Sequence, residues 1–438
     1  MRKIFFILLI ALLLISFSGC ILLYEKGSLQ NPYLVSTAED LDNVRLNLEA
    51  HYKQIADIDL SEYENWDPIG NYIGFSGSYN GYGFKINNLK SLNRIDNVGL
   101  FSIVRFSGVI ENVVIENTDI IANRSCAGGI AGYNYGKISN SKVTGNITGN
   151  SYVGGIVGRN SGNISECYTE ILVEANNYVG GLIGQNRGVA RNNNSYGKIN
   201  ASSRYVGGLI GQNSGRVENN ISNAEVSGAW DYVGGLIGQN SGRVKNNVSS
   251  GKVIGLRYVG GLIGLSEENI IKSNYSDVTV TGSDYIGGLV GRSKSPIENS
   301  YALGDVFGLN YIGGLVGYND LNHIINSYSN NNVTGRNYLG GFVGYNFLGA
   351  IKNCYSTGEI KSLSEKDEKG AFLGFDYYKS GVIENSYYDL EKCEIYDEYA
   401  IGKSSIEMKK KETFVGWDFE TIWDIVENET YPFFKYEK

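Results

Sequence analysis

The stretch Tyr205-Val206-Gly207-Gly208-Leu209-Ile210-Gly211-Gln212-Asn213 returns at Tyr232 and, in closely similar form, at Tyr258. Variants begin at Tyr152, Tyr178, Tyr285, Tyr311 and Tyr338, and an earlier copy has Cys126 in the Tyr position. The Gly-Gly pairs start at 128, 154, 180, 207, 234, 260, 287, 313 and 340, in steps of 26 or 27 residues. A period this constant means a solenoid or a propeller and constrains the fold before anything else does.

Each unit reads as three short strand candidates. They are Tyr-Val-Gly-Gly-Leu-Ile-Gly, a stretch like Ile297-Glu298-Asn299-Ser300-Tyr301, and a stretch like Gly304-Asp305-Val306-Phe307-Gly308. Gly, Asn and Ser separate them, as turns require, and β-branched and aromatic residues fill them. No window keeps a helical period. A propeller blade needs four strands and about 40 residues, too many for this unit. The expected fold is all-β: a right-handed parallel β-helix, or β-solenoid, of about eleven coils with N- and C-terminal caps.

Gly weakens a strand on entropy grounds. A Gly pair fixed in every coil therefore implies that backbone approaches too closely for a Cβ. Parallel stacking places equivalent residues about 4.8 Å apart. Tyr152, Tyr178, Tyr205, Tyr232, Tyr258, Tyr285, Tyr311 and Tyr338 would then form one column of rings. A second column would run through Tyr168, Tyr196, Ile221, Val248, Tyr275, Tyr301, Tyr328 and Tyr355. These ladders read either as a carbohydrate-stacking surface or as packing between coils.

The Gly-Gly-Leu-Ile-Gly core, with Asn-Ser-Tyr strands between copies, resembles the GLUG repeat family of bacterial and archaeal surface proteins. The resemblance covers about residues 99–388. The stretches Asp57–Ser61, Trp66–Gly70 and Phe75–Gly81 resemble the lead-in of such repeats, and Trp417–Pro432 the segment that closes them. The resemblance implies a membrane-anchored, adhesin-like protein. Such repeats also occur beside catalytic domains of IgA-specific metallopeptidases, but this chain has no His-Glu-x-x-His.

In chain order, residues 1–24 read as a signal, lipoprotein or membrane-anchor segment. Arg2 and Lys3 precede an uncharged run from Ile4 to Tyr24. Ser18-Gly19-Cys20 resembles a lipobox, which makes Cys20 the lipidation candidate. The run is also long enough for an uncleaved anchor at about 20 residues, and full secretion is the third reading. All three place the rest of the chain outside the cytoplasm. Residues 25–98 read as an N-terminal cap and lead-in, with one short helix expected where Thr37 precedes Leu41, Val44 and Leu48. Residues 99–388 are the repeat solenoid. Residues 389–438 are an aromatic-rich C-terminal cap, with Trp417 and Trp423 as alternative ligand-stacking residues.

A formal charge of −8 disfavours nucleic acid as a partner. Cys167 and Cys354 occupy one repeat position seven coils apart, about 34 Å at one strand spacing per coil, too far for a disulfide; Cys354 with Cys393 stays open. No Cys-x-x-Cys suggests zinc, and no metal or other cofactor is expected. Asn-x-Ser/Thr sequons occur at Asn123, Asn146, Asn220, Asn247, Asn274 and Asn332. Simple alternation turns Asn220, Asn247 and Asn274 outward, as glycosylation candidates; a bulge would reverse them.

Only His51 and His323 are available to a nucleophilic triad, and they lie far apart in the chain. Asn117-Thr118-Asp119 resembles one polygalacturonase motif, without its companions. Asp277, Asp284 and Asp305 are scattered single charges rather than an acid–base pair. The expectation is a non-catalytic surface protein that acts in adhesion, in binding extracellular glycan or protein, or as an envelope component. The alternative is a polysaccharide-degrading β-helix enzyme.

Overall fold

The computed structural model describes residues 25–93, 96–364, 368–377 and 381–437. The leader segment 1–24 and its lipidation candidate Cys20 lie outside the described residues. The chain winds into a parallel β-solenoid with three faces. One face is a 14-stranded sheet that begins at Tyr33–Val35 and ends at Ile383–Glu384. A second is an 11-stranded sheet from Phe101–Val104 to Leu373–Asp376. The third stacks strands such as Ile221–Gly228 and Asp231–Gly234. Fourteen rungs at the usual strand spacing make the first face about 60 Å long.

Repeat positions pair with themselves. Ile210 lies opposite Ile237, Val206 opposite Val233 and Val217 opposite Val244. The interior is therefore a set of ladders of like residues. Leu182, Leu209, Leu236, Leu262, Leu289 and Leu315, then Phe342 and Phe372, follow one another fully buried. A period-26 sequence thus generates a continuous core, because each coil closes the apolar face of the one before it.

The Gly-Gly pair is where the coil turns a corner. A Cβ on Gly207 would lie 2.0 Å from the Ile210 carbonyl oxygen, and one on Gly208 would lie 2.2 Å from the Gly235 carbonyl oxygen. The corner splits the first expected strand: Asp231–Gly234 pairs on the third face and Ile237–Asn240 on the 11-stranded face. The second expected strand is split as well. Ile297–Glu298 belongs to the 14-stranded face and Tyr301–Leu303 to the third. Between them Asn299 has φ 49°. The same left-handed corner recurs at Asn192, Asn219, Asn246, Asn326 and Asn353, where Asn tolerates the conformation best after Gly.

The solenoid starts earlier than the repeat does. Tyr33–Val35, His51–Gln54 and Ser78–Asn80 add three parallel rungs ahead of Val109–Glu111. Their connections differ in length, so no period betrays them. The expected helix is one α-helical turn, Ala38–Asp42, followed by a 3-10 turn, Asn43–Leu46. Thr37 and Asp40 form a capping box, and Leu41 and Val44 are buried.

At the other end, Asp397 closes the last coil. Its carboxylate accepts from the Phe372 and Leu373 amides at 2.8 and 2.7 Å. The tail then turns back along the flank. Phe414, Trp417, Trp423 and Phe434 cover Tyr301, Tyr328, Tyr355 and Tyr387. Tyr355 donates to the Pro432 carbonyl oxygen at 2.6 Å, Tyr328 to Glu437 at 3.0 Å, and Tyr436 to the Asn299 carbonyl oxygen at 2.8 Å. Cys126, Cys167, Cys354 and Cys393 are buried, and Cys354 and Cys393 are not joined by a disulfide.

Candidate functional site

The first Tyr column forms as its spacing requires. From Tyr152 to Tyr338 consecutive ring centroids lie 4.5 to 5.1 Å apart, with interplanar angles of 3° to 14°. Each of these Tyr residues has a positive φ, between 54° and 65°. That conformation ends the third-face strand and turns the ring outward. It costs about 1–2 kcal/mol per residue for a side chain of this kind, against about 0.5–1.5 kcal/mol recovered per stacked pair.

The stack covers the ring faces and leaves the edges and hydroxyls towards solvent. The Arg159 guanidinium caps Tyr152 at 4.6 Å from its centroid. Tyr345 and Phe375 pack edge-on against Tyr338. A sugar ring packs on an aromatic face, so the column Tyr152, Tyr178, Tyr205, Tyr232, Tyr258, Tyr285, Tyr311 and Tyr338 is corrected from a stacking platform to a ladder of edges. Burial, reinforced by neighbouring phenols, raises the pKa of Tyr178, Tyr232, Tyr285 and Tyr311 above the ordinary tyrosine value. Those four hydroxyls stay protonated and able to donate.

The residue before each Tyr forms a polar row beside the ladder: Asn177, Arg204, Asp231, Arg257, Asp284, Asn310 and Asn337. Arg257 clasps Asp231 through two bonds of 3.0 and 2.8 Å. Asn310 donates to Asp284 at 2.7 Å and Asn337 to Asn310 at 2.8 Å. One residue further out is an apolar corner. Leu256 donates its amide to the Trp230 carbonyl oxygen, Ser283 to Leu256 and Leu309 to Ser283, which stacks these four positions. Trp230 is 51% exposed, Leu256 38% and Leu309 40%, with Ile254 and Phe307 exposed alongside. Contiguous exposed apolar groups of this kind mark interaction surfaces.

Residues 123–148, 308–334 and 335–361 match the model of the GLUG motif. Three coils of the solenoid carry the GLUG motif. A stretch of 130 residues is 37% identical to a protein named as a Gly-rich membrane protein of Evansella cellulosilytica, covering 27% of this chain and 15% of that protein. A stretch of 139 residues is 34% identical to halomucin of Haloquadratum walsbyi, covering 28% of this chain and 2% of halomucin. The matches thus span a small part of the length of these relatives. Among solved structures, a protein described as an immunoglobulin A1 protease from Bacteroides ovatus aligns over 94% of this chain and 95% of its own, at 18% identity and a TM-score of 0.30. An IgA1 protease aligns over 81% of this chain and 21% of its own, at 13% identity and a TM-score of 0.23.

The GLUG coil also moves three groups of candidate residues. Asn220, Asn247 and Asn274 are fully buried, not outward glycosylation sites. The left-handed corner at the preceding residue reverses the alternation and points each amide into the coil. Trp417 and Trp423 are 8% and 0% exposed, so the tail offers no aromatic platform at these two residues. In the second column, Asn194 rather than Tyr196 lies between Tyr168 and Ile221, because Tyr196 pairs with Glu170 and Asn223.

The residues considered for catalysis remain apart in the GLUG solenoid. His51 bonds Ser78 at 2.7 Å, and His323 sits 3.7 Å from Glu298. Asp119 and Asp277 are exposed on separate coils, and Asp305 accepts from Asn332 at 2.9 Å. Among the described residues no group of three or more His, Cys, Asp or Glu could hold a metal ion. Sequence reasoning missed Trp230. The signal was there: it stands where other GLUG coils carry Asn150, Asn176, Ser203, Leu256, Ser283, Leu309 and Arg336.

Proposed function

We propose that this chain works at the cell surface as a membrane-tethered, non-catalytic binding rod. The flank described above carries the proposal. It presents Tyr edges, an ion-paired row and the exposed corner of Trp230, Leu256 and Leu309 in fixed register. A rod of this kind holds weak contacts at constant spacing, so that several engage one extended partner together and avidity rises without a deep pocket. The basic and apolar leader with Cys20 supports a lipid or membrane anchor. So does the name of one relative, a Gly-rich membrane protein. No helix among the described residues is long and apolar enough to cross a membrane.

The test is retention of the full-length chain on a panel of immobilised polysaccharides, with the same samples assayed for chain shortening. Retention with intact glycans supports the binding rod. Shortened glycans would replace it with the polysaccharide-degrading reading, and a chain retained on none of them would not be a glycan-binding rod.

A further inference from the structure

Beside the unbroken Tyr ladder, a pocket opens at one coil. Strands that lead into the Gly-Gly corner begin at the residue before Tyr in Asn177–Gly180, Asp231–Gly234, Arg257–Gly260, Asp284–Gly287, Asn310–Gly313 and Asn337–Gly340. In the coil of Tyr205 the strand is only Val206–Gly207, and Ser202, Ser203 and Arg204 form a bend that still bonds the preceding coil through the Ala175 and Asn176 carbonyl oxygens. Beside this bend lies a pocket of about 490 Å³ lined by Asn177, Tyr178, Ser203, Arg204, Tyr205 and Trp230.

Trp230 forms its wall, half-exposed, and among the described residues no ring stacks on it. It therefore offers what the Tyr ladder does not, an aromatic face. Arg204 supplies the charge. Its guanidinium is 3.9 Å from the Asp231 carboxylate, which Arg257 already holds bidentately at 2.8 and 3.0 Å. Two guanidinium groups thus share one carboxylate, and Arg204, with its side chain 47% exposed, is the loosely held one. Asn177 and Ser203 add neutral polar groups at the rim.

We propose that this pocket binds a carboxylate-bearing sugar unit, a uronate within an acidic glycan. The inference rests on the binding-rod reading and names the ligand class of one subsite on it. The sugar's apolar face packs on Trp230. The carboxylate pairs with Arg204, whose planar fork suits bidentate recognition. Asn177 and Ser203 meet the ring hydroxyls. A neutral sugar keeps the packing and loses the ion pair, and an apolar peptide leaves Arg204 unanswered.

The probes are hexagalacturonate and the uncharged cellohexaose, titrated into the full-length chain in detergent while tryptophan emission is followed. Trp66 and Trp423 are fully buried and Trp417 is 8% exposed, so a change on binding reports Trp230. The expected result is saturable binding of hexagalacturonate, about tenfold tighter than cellohexaose, one charge-assisted contact being worth roughly that factor. Added salt weakens it. Arg204→Gln brings the uronate down to the cellohexaose level without changing cellohexaose, whereas Trp230→Ala, which lacks the reporter and is followed by calorimetry beside the parent, weakens both. Both side chains are exposed, and an unchanged melting curve confirms that the variants fold. Equal affinities for the two probes, or indifference to Arg204→Gln, would overturn the proposal, as would binding of neither. Failure here with retention on the polysaccharide panel sinks the pocket alone. Hexagalacturonate binding without any retention on long polymers sinks the rod and leaves the pocket.

Discussion

Asn220 donates its side-chain amide to the Asn247 carbonyl oxygen at 2.9 Å, and neither residue is exposed to solvent. Asn193 makes the same bond to Asn220, and Asn247 to Asn274. Each side-chain oxygen also accepts the backbone amide of the Asn one coil earlier, at 2.9 to 3.0 Å. The ladder satisfies the backbone at a corner where no sheet partner is available.

Asn247→Ala leaves the Asn220 backbone N–H without its acceptor inside the core, while the Asn220 side-chain amide keeps the Ala190 and Glu218 carbonyl oxygens. The expected cost is about 2 kcal/mol of stability, the penalty for an orphaned buried donor. Urea unfolding measures it. In a glycosylating host, peptide mapping of the folded protein should find Asn220, Asn247 and Asn274 unmodified; glycan on Asn247 would contradict the buried ladder.

Gly208→Ala should be among the most damaging single-methyl changes in the chain. The added Cβ meets the Gly235 carbonyl oxygen and the Ser222 hydroxyl, both at 2.2 Å, and neither coil can withdraw without breaking register. A loss of about 3 kcal/mol is expected from overpacking. Gly83→Ala is the control. It has φ +79° and nothing within 4 Å of an added Cβ, so it carries only the conformational cost, about 1 kcal/mol. Equal melting temperatures for the two variants would show that close approach does not govern the corner.

The parallel coils, the close backbone approach at the Gly-Gly pair and the register of the first Tyr column were legible, because a period fixes which residues stack. The corners themselves were not. Tyr is an unusual occupant of the left-handed region, so nothing in the residue type announced that Tyr205 and its equivalents turn the chain. Asn219 and Asn246 reverse the simple alternation at the sequons for the same reason. The site of tail packing was also hidden. Trp417 and Trp423 stand far in sequence from Tyr301 and Tyr328, and no spacing rule connects them. Trp230 was visible as the odd residue at its repeat position but was passed over.

Trp423→Ala should detach the tail while leaving the coils wound. Trp423 is fully buried, 4.4 Å from Phe434 and 4.5 Å from Trp417 by ring centroids. Its removal costs about 3–5 kcal/mol, borne mostly by the tail. Limited proteolysis should then cut between residues 405 and 437 first, with circular dichroism little changed. Simultaneous loss of both signals would mean that the tail holds the whole array together.

Stability should fall steeply in alkali. Burial holds the phenols of Tyr178, Tyr232, Tyr285 and Tyr311 above the ordinary tyrosine value of about 10 and pushes Tyr52 up to about 12. The folded chain keeps protons that the unfolded chain releases above pH 10. The stabilisation is therefore complete below pH 10 and lost as pH rises through the folded values. Phenolate absorbance at pH 11 should be well below that of the urea-unfolded chain and should rise as the fold melts. Full ionisation at pH 11 in the folded state would contradict the packing.

The most direct test of a distributed binding surface removes a coil and keeps the ends. Deleting residues 260–286 joins Val259 to Gly287, takes out one whole repeat, and spares Trp230, Arg204, Arg257 and the tail contacts from Asn299 onward. Affinity for a long polymer retained by the parent should fall by about ten- to a hundredfold as simultaneous contacts are lost. Hexagalacturonate binding should change little. Unchanged polymer affinity in a folded deletion variant would contradict the central claim and place binding at one end of the rod.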